Sequence, residues 1–432
     1  MNFVKRIDFY YVVTLLFLLV SANASFLSAS DIAWFGVLIF MFLVGLEKRL
    51  FKLKDYRNFL VFSAVYVAFI VIRDMFINGL EFGYLLSDGF FLVKLVFFSY
   101  VFCCVLKDRA AEYLVKVMVH LTVFSLCLYA LQLVGLGELI YKFSTAINLQ
   151  SNNTIPGYTN FLFFTYHKNF HDLANCGFSW EPGAFGCFLI IGLLLNLFLN
   201  KFIFEQKSYI LILGIISTIA TTNYLALIIV LFLAYRYRKP KINLGAVLLI
   251  AVFAALVFFI PFLGSKIKDT YYEDIDDLTR LKFLEIFYRK NGMQIPLNRF
   301  SSMVYIYDTF NTKLILGVSN KYGDIVNKKF NINISNGIFD FLAKFGLVGL
   351  GYLTFKYSQL CIFFVKKVEY LIYCIAALMV VGFGEPVIVL PIILMFLFLP
   401  VKQTIGGRSN VNDKNETDEF SKYPELRKFA KQ

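Results

Sequence analysis

The chain has 432 residues, of which 59% are hydrophobic and only 16% are charged, and its formal net charge at pH 7 is +13. The mean hydropathy of +0.69 is far above the range of soluble domains. This composition excludes a soluble enzyme or binding module. Because every peptide group inside hydrocarbon must be hydrogen-bonded within its own segment, the apolar runs predict an all-α, polytopic integral membrane protein.

The first apolar run, residues 9–20, follows Lys5 and Arg6 and precedes the small-residue stretch 21–25. This pattern resembles a cleavable signal peptide. Because further apolar spans follow along the whole chain, we expect an uncleaved first helix instead.

Basic residues cluster in the short loops between apolar runs, and such clusters mark the cytoplasmic side of a membrane protein. Two longer apolar stretches, residues 208–235 and 370–400, test this rule. If each were one helix, some basic clusters would lie on the outer side. Breaks near residues 221–223 and 384–386, where the residues favour turns, place every cluster on the cytoplasmic side. We therefore expect about twelve transmembrane helices, with both termini in the cytoplasm. The clusters are Lys5 and Arg6; Lys48, Arg49, Lys52, Lys54 and Arg57; Lys107 and Arg109; Lys201 and Lys207; Arg236, Arg238, Lys239 and Lys241; and Lys356, Lys366 and Lys367.

Two long loops face outward on this topology, residues 136–180 and residues 264–336. The preference of basic residues for the cytoplasmic side holds for short loops only, and the second loop is longer than that. Its many basic residues therefore do not contradict the topology. Apolar residues spaced three and four apart predict short helices over residues 276–287 and 301–310 of this loop. We expect these helices to lie near the membrane surface.

The predicted domain organisation is simple. Residues 1–400 form a single transmembrane helical domain that carries both outward, periplasmic loops. Residues 401–432 are polar and have few large apolar side chains, which is typical of a disordered cytoplasmic tail.

Residues 178–185 contain the first candidate site. Pro182 suits the first turn of a helix, and Glu181 before it meets the positive end of the helix dipole. A structural helix start, with Trp180 as an interfacial anchor, is the alternative interpretation. We favour a functional role, because Glu181 lies at the outer edge of its span beside a loop with three basic residues. These are His167, Lys168 and His171.

The second candidate runs from Arg299 through Gly317 to residues 335–349, where a polar loop leads directly into a glycine-containing helix. The simpler interpretation is structural and is favoured by the residues alone. In it, Asn336 is a helix N-cap, and Asp340 pairs with Lys344 one turn later.

The third candidate is the hydroxyl-rich break at residues 217–223, in the middle of an apolar stretch. Thr221, Thr222 and Asn223 either satisfy their own backbone at a turn or bind a polar ligand near the outer surface. The structural role is the favoured one here as well.

Taken in order, these segments resemble the O-antigen polymerase (Wzy) family and the related O-antigen ligases, over roughly residues 170–360. The resemblance lies in the succession of short motifs rather than in any one of them. Ligases commonly have a histidine where this chain has Ser335, so the polymerase fits better. An arginine often found upstream of the Glu-Pro motif is missing, and Asn175 and Cys176 stand there. The elements are Glu181-Pro182-Gly183, residues 217–223, residues 299–320 and residues 335–349.

The resemblance implies an enzyme of the bacterial inner membrane that polymerises undecaprenyl-pyrophosphate-linked oligosaccharide repeat units on the periplasmic face. Glu181 or His171 would take the proton of the attacking sugar hydroxyl, and Arg299 would stabilise the departing pyrophosphate. Expected partners are the lipid-linked glycan, membrane lipid and a chain-length regulator protein, with no nucleic acid, metal or cofactor. The expected substrate-binding residues are Arg280, Arg289, His167, Lys168, Thr221, Thr222, Asn223, Ser335 and Asn336.

Two alternative functions stay open. An O-antigen ligase would use the same chemistry with a different acceptor. A polysaccharide flippase or exporter would also have about twelve helices and a basic charge, but it would need a polar, charged cavity through the spans and short loops on both faces. The nearly apolar spans and the long outer loop favour the enzyme.

Overall fold

The computed structural model describes residues 8–147, 149, 157–168, 173–238, 271–290, 294–327 and 330–399. The predicted ninth span, which precedes residue 264, lies outside these residues. So do the predicted tail 401–432 and His171.

The first half of the described chain is a succession of helices with short connections. A short π-helical turn at Leu92–Val96 continues one helix into the next, the π-helical turn at Gln132–Leu136 contains a kink at Gly135, and a 3-10 turn at Lys107–Arg109 separates two helices. The helices are α1 (Phe9–Ser21), α2 (Phe26–Ala29), α3 (Asp31–Glu47), α4 (Leu53–Ile77), α5 (Phe82–Phe91), α6 (Phe97–Leu106), α7 (Ala110–Leu131) and α8 (Gly137–Ile147).

The second half is also mainly helical. Residues 271–279 are helical as well, and 3-10 turns at Asn311–Ile315 and Met395–Leu397 follow two of the helices. The helices are α9 (Pro182–Leu199), α10 (Gln206–Ser217), α11 (Thr221–Arg238), α12 (Leu281–Lys290), α13 (Arg299–Phe310), α14 (Gly323–Val326), α15 (Gly337–Val365), α16 (Val368–Gly384) and α17 (Pro391–Leu394).

The helices of the described residues are those of a membrane protein. Four helical segments are long and apolar enough to cross a bilayer: Leu53–Ile77, Phe82–Ile147, Pro182–Leu199 and Gly337–Val365. The second of these has 66 residues. A straight helix of that length would extend about 100 Å, three times the thickness of a hydrocarbon core, but the helix breaks at Lys107, whose φ is 51°. Shorter apolar helices are Phe9–Ser21, Gln206–Ser217 and Val368–Gly384.

Both predicted breaks in the long apolar stretches are present. Helix α10 ends at Ser217 and α11 begins at Thr221, with Ile219 in the left-handed region at a φ of 51°. Helix α16 ends at Gly384. The segment after this second break differs from the short spanning helix that we expected, because Pro386 and Pro391 lack the N–H groups that a continuous helix needs. It contains only the single turn α17 and a 3-10 turn, buried against the other helices.

Two small sheets depart from the all-α expectation, and each lies in a predicted outer loop. Strands β1 (Tyr158–Asn160) and β2 (Thr165–His167) pair antiparallel in the first loop. Strands β3 (Ile295–Leu297) and β4 (Ile332–Ile334) pair in parallel in the second, with Leu297 opposite Ile334. Segments of three residues are too short for an alternating pattern to reveal them.

Helix α9 forms the centre of the main core. Its side chains from Pro182 to Phe198 are all buried, and it packs against α7, α10 and α11. Helix α1 is part of the same core, since Val13, Phe17 and Leu18 are fully buried in it. Helix α9 is therefore held in place by packed helices along its length.

The second outer loop has an apolar core of its own, which is joined to α15. Ile295, Leu297, Ile306 and Phe310 of the loop pack with Ala343 of α15 and with further apolar neighbours. This core fixes β3 and the start of α13 relative to the membrane helices. It thereby fixes the position of Arg299, the first residue of α13.

Candidate functional site

Glu181 lies at the N-terminus of the central helix α9. The backbone of Glu181 is extended, with a φ of −154°, and Pro182 follows as the first helical residue. Proline is favoured at this position because its φ is already helical and its missing N–H would have no partner there. The indole Nε1 of Trp180 donates a hydrogen bond of 2.8 Å to Oε1 of Glu181. His167 is buried, and its Nε2 donates to the carbonyl oxygen of Trp180 at 3.0 Å. His167 therefore positions the backbone beside Glu181.

Arg299 reaches this helix end from the second outer loop. Its backbone is fixed by Asn336, the N-cap of α15, whose Nδ2 donates to the Arg299 carbonyl oxygen at 3.1 Å. The Ser335 hydroxyl donates to the carbonyl oxygen of Leu297 at 2.7 Å, two residues before Arg299. The predicted N-cap role of Asn336 is confirmed, and Ser335 and Asn336 together anchor the start of α13.

The third member of the site is Glu385, which directly follows α16. Nη2 of Arg299 donates to Oε1 of Glu385 at 2.8 Å, and Nε donates to the carbonyl oxygen of Gly384 at 2.9 Å. The Glu385 side chain is only 1% exposed, and it forms a side-chain hydrogen bond with Glu181. Two carboxyl groups and one guanidinium group therefore meet between α9, α13 and α16.

Two glycines allow this close approach. A Cβ atom at Gly183 would lie 1.9 Å from Oε1 of Glu385, so only glycine leaves room for the carboxyl group. A Cβ atom at Gly384 would lie 2.7 Å from the hydroxyl oxygen of Thr222. The Nδ2 of Asn223 donates to the Gly183 carbonyl oxygen at 3.0 Å. Thr222 and Asn223, at the start of α11, thus pack against the two helix ends that carry the carboxyl groups.

Burial raises the pKa of the Glu385 carboxyl group well above its usual range, the neighbouring Glu181 raises it further, and Arg299 opposes both without cancelling them. Burial lowers the pKa of the Arg299 guanidinium, but Glu385 and Glu181 outweigh this effect and the pKa is raised. Arg299 thus lies against two carboxyl groups, of which Glu385 is held toward its protonated form.

Arg299 and Glu181 are both partly exposed. The Arg299 side chain is 35% exposed, whereas that of Glu385 is buried. Among the described residues, Nε and Nη2 make its hydrogen bonds, and both point toward α16. The remaining edge of a planar guanidinium can bind a phosphate oxygen. The arrangement therefore combines a carboxylate beside a helix N-terminus with a partly open anion-binding group.

Other residues that the sequence suggested lie in other contacts. Lys168 pairs with Glu138 at 2.5 Å, which raises the pKa of the lysine, and Arg280 pairs with Asp276 one turn away at 2.9 Å. Both pairs are exposed. Thr221 begins α11. His171 and the side chain of Arg289 lie outside the described residues.

Sequence reasoning used Glu385 only as part of a chain break and missed its role in the cluster. The signal was present. Glu385 is the single charged residue in the apolar stretch 370–400, and with Pro386 it repeats the Glu-Pro pair of Glu181 and Pro182. A charged side chain in such a stretch needs a partner, and Arg299 is that partner.

A second buried ionic cluster, also missed, joins α4 and α5 to the outer loop. Arg73, Asp74 and Asp88 are all fully buried, and Arg73 pairs with both aspartates. Arg73 also donates to the Lys344 carbonyl oxygen at 2.9 Å. Asp88 accepts from the backbone N–H of Asn320 at 2.7 Å. This cluster, which we call the Arg73 joint, is enclosed by protein on all sides.

Comparisons with known proteins add no relative: no family model, no curated protein and no solved structure matches the chain.

Proposed function

We propose that the protein is a lipid-linked oligosaccharide polymerase, a glycosyltransferase that joins undecaprenyl-pyrophosphate-linked repeat units without a metal or nucleotide. The observation that carries this proposal is the Arg299 cluster. It combines a base, an anion-binding group and a buried second carboxyl group at one end of the helix core. Joining sugars with loss of a pyrophosphate requires a base and a fixed cation in this combination.

In the proposed reaction, a sugar hydroxyl of the incoming unit attacks the anomeric carbon of the growing chain. The new carbon–oxygen bond forms while the bond to the pyrophosphate oxygen breaks, and the pyrophosphate keeps the electron pair. Glu181 takes the hydroxyl proton. Arg299 holds the negative charge that develops on the departing undecaprenyl pyrophosphate, because its exposed edge faces solvent while Glu385 fixes the other edge.

The proposed topology is that of the bacterial inner membrane, with about twelve spans, both termini in the cytoplasm and the cluster on the periplasmic side. Lipid-linked substrate would reach the site from the bilayer between helices, and a chain-length regulator protein is a proposed partner. One ion pair supports the placement of two predicted cytoplasmic segments on the same side of the membrane. Arg236 of one predicted cytoplasmic cluster pairs with Glu369, which precedes another span, at 2.5 Å.

The first test is deletion of the gene, followed by separation of the surface polysaccharide on a gel. A ladder that collapses to a single capped unit supports the polymerase. Complete loss of capped species would instead indicate a ligase or a flippase.

The site is tested with Glu181→Gln and Arg299→Ala in the deleted strain, with protein level measured on the same membranes. We expect each variant to give the single capped unit, because removal of one such electrostatic group slows a reaction by about 10²–10³-fold. Lys321→Ala is the matched control and should keep the full ladder, since the ion pair of Lys321 in the described part of the chain is with its near neighbour Asp324 at the surface. A normal ladder in either site variant would remove that residue from the mechanism.

A further inference from the structure

Glu385 has one more contact than a simple counter-ion of Arg299 needs. It is buried and contacts Glu181 as well as Arg299, so one carboxyl group lies between a cation and a second carboxyl group. The glycine at position 183 leaves the space that this contact requires. The geometry is that of two carboxyl groups that share one proton.

The positions of the oxygens suggest where the proton lies. Oε1 of Glu385 accepts the hydrogen bond of Arg299 at 2.8 Å, so in a protonated Glu385 this is the oxygen that does not carry the proton. A proton on the other oxygen would then point to Glu181. Glu181 already accepts from Trp180 at 2.8 Å and would stay ionised between two donors.

We propose that Glu385 is a positioning residue that carries one proton and donates it as a hydrogen bond to Glu181, so that Glu181 remains an ionised base. This inference rests on the proposed function for the identity of the reaction, but not for the proton itself. During the transfer, the proton of the sugar hydroxyl moves to Glu181 and is then released to water, while the proton of Glu385 stays in place.

The charged and titratable groups that face Glu385 among the described residues are few. They are Glu181 before α9, Arg299 of α13 and Cys187 of α9. Burial and Glu181 raise the pKa of Glu385, so this carboxyl group keeps its proton to a higher pH than an exposed glutamate does. Loss of the proton would place two anions beside Arg299 and draw the guanidinium away from pyrophosphate.

Glutamine is a close copy of the protonated glutamate, which makes Glu385→Gln a sharp test. Its amide oxygen accepts from Arg299, its amide nitrogen donates to Glu181, and it does not titrate. Alanine removes both contacts. Glu369→Gln is the matched control, because Glu369 is also paired with an arginine, Arg236, but is half exposed and belongs to a different contact.

The activity test uses purified protein in liposomes, with lipid-linked repeat units extracted from the host strain, from about pH 5 to about pH 9. We expect the wild-type rate to fall tenfold per pH unit on the alkaline side, above the raised pKa. Glu385→Gln should keep the rate within about tenfold at neutral pH and lose the alkaline fall, whereas Glu385→Ala should lose about 10²–10³-fold. Two results would contradict the shared proton. One is a folded Glu385→Gln variant that is as inactive as Glu385→Ala, and the other is a Glu385→Gln variant whose rate still falls at alkaline pH.

A second measurement does not depend on the reaction. Because its pKa is raised in the native state, Glu385 holds a proton that the unfolded chain releases near its ordinary value of 4.5, so the wild-type melting temperature should fall as pH rises above that value. Glu385→Gln should remove this part of the slope, and Glu369→Gln should keep it. An equal slope in wild type and Glu385→Gln would overturn the inference. If wild-type protein joins no repeat units but the slope behaves as expected, the proposed function fails and the proton-sharing pair stands.

Discussion

The molecule contains two buried arginine–carboxylate clusters that differ in one respect. In the Arg73 joint, the arginine and both aspartates are fully enclosed, and the guanidinium donates to Asp74, Asp88 and the Lys344 carbonyl oxygen. In the Arg299 cluster, the carboxylate of Glu385 is enclosed but the arginine is 35% exposed. Both clusters cost free energy of desolvation, and the first is offset by protein partners alone, with Oδ2 of Asp74 left without a hydrogen bond among the described residues.

This difference separates a structural contact from a candidate binding site. The Arg73 joint ties α4 and α5 to the loop at residues 318–320 and to α15, and its three charged side chains are fully enclosed, so a ligand does not reach them. The Arg299 cluster spans three helix ends and keeps one guanidinium edge open. Substitutions should therefore reduce stability at the first cluster and activity at the second.

The largest expected effect is that of Arg73→Ala. It leaves Asp74 and Asp88 buried without a cation, and removal of one partner from such a pair costs about 3–5 kcal/mol. We expect little folded protein in the membrane and a lower melting temperature in detergent. Arg299→Ala is the comparison, with a normal protein level and a lost ladder. Equal protein levels for the two variants would show that the enclosed Arg73 joint is no more important for stability than the partly exposed Arg299 cluster.

The second prediction concerns Gly346, where α15 is kinked beside the Arg73 joint. Its φ is +67°, and a Cβ atom there would lie 2.4 Å from the backbone nitrogen of Gly317. Gly79 has the same φ of +67° but nothing within 4 Å of its Cβ position. Gly79→Ala should therefore cost only the backbone strain, about 1–2 kcal/mol, whereas Gly346→Ala adds overlap and should cost about 2–5 kcal/mol.

Thermal unfolding of the two glycine variants measures this difference directly. If both lose the same stability, the contact between residues 317 and 346 is not close in solution. The joint would then depend on its ion pairs alone.

The smallest expected effect is that of Arg280→Ala. Arg280 pairs with Asp276 on an exposed surface, and exposed pairs one turn apart contribute about 0.3–0.5 kcal/mol. We expect an unchanged melting temperature and an unchanged ladder on the gel. A lost ladder would bring back the role in substrate binding that the sequence suggests for Arg280, and it would weaken the distinction between exposed and half-buried arginines.

Local sequence patterns predicted many local features of this structure, although the helix predicted over residues 276–287 is wrong in its bounds, because the chain turns at Arg280 between helical residues 271–279 and Leu281–Lys290. The helix start at Pro182, the chain breaks near residues 221 and 384, and the loop helix over residues 301–310 all follow from turn residues, caps and helical spacing. The pair of Asp340 and Lys344 also forms as predicted, at 2.8 Å. Each of these depends on residues within one or two helical turns.

Local sequence patterns could not predict the contacts of the two arginine clusters, because these contacts join residues far apart in the chain. Nothing local indicates that Arg299 meets Glu385, or that Asp88 accepts from the loop at Asn320. Charged residues at the ends of apolar runs first suggest the membrane surface. Only the packing of several helices turns them into buried partners.

The indole of Trp180 gives the proposed base an optical label. The chain has two tryptophans, and the other, Trp34, is buried in the helix core away from this hydrogen bond. Replacement of Trp34 by phenylalanine would leave a single tryptophan, whose indole N–H is bonded to Glu181. Its emission would follow the charge of that carboxylate in real time, so that binding of a colourless, lipid-bound sugar could be observed without labelling it.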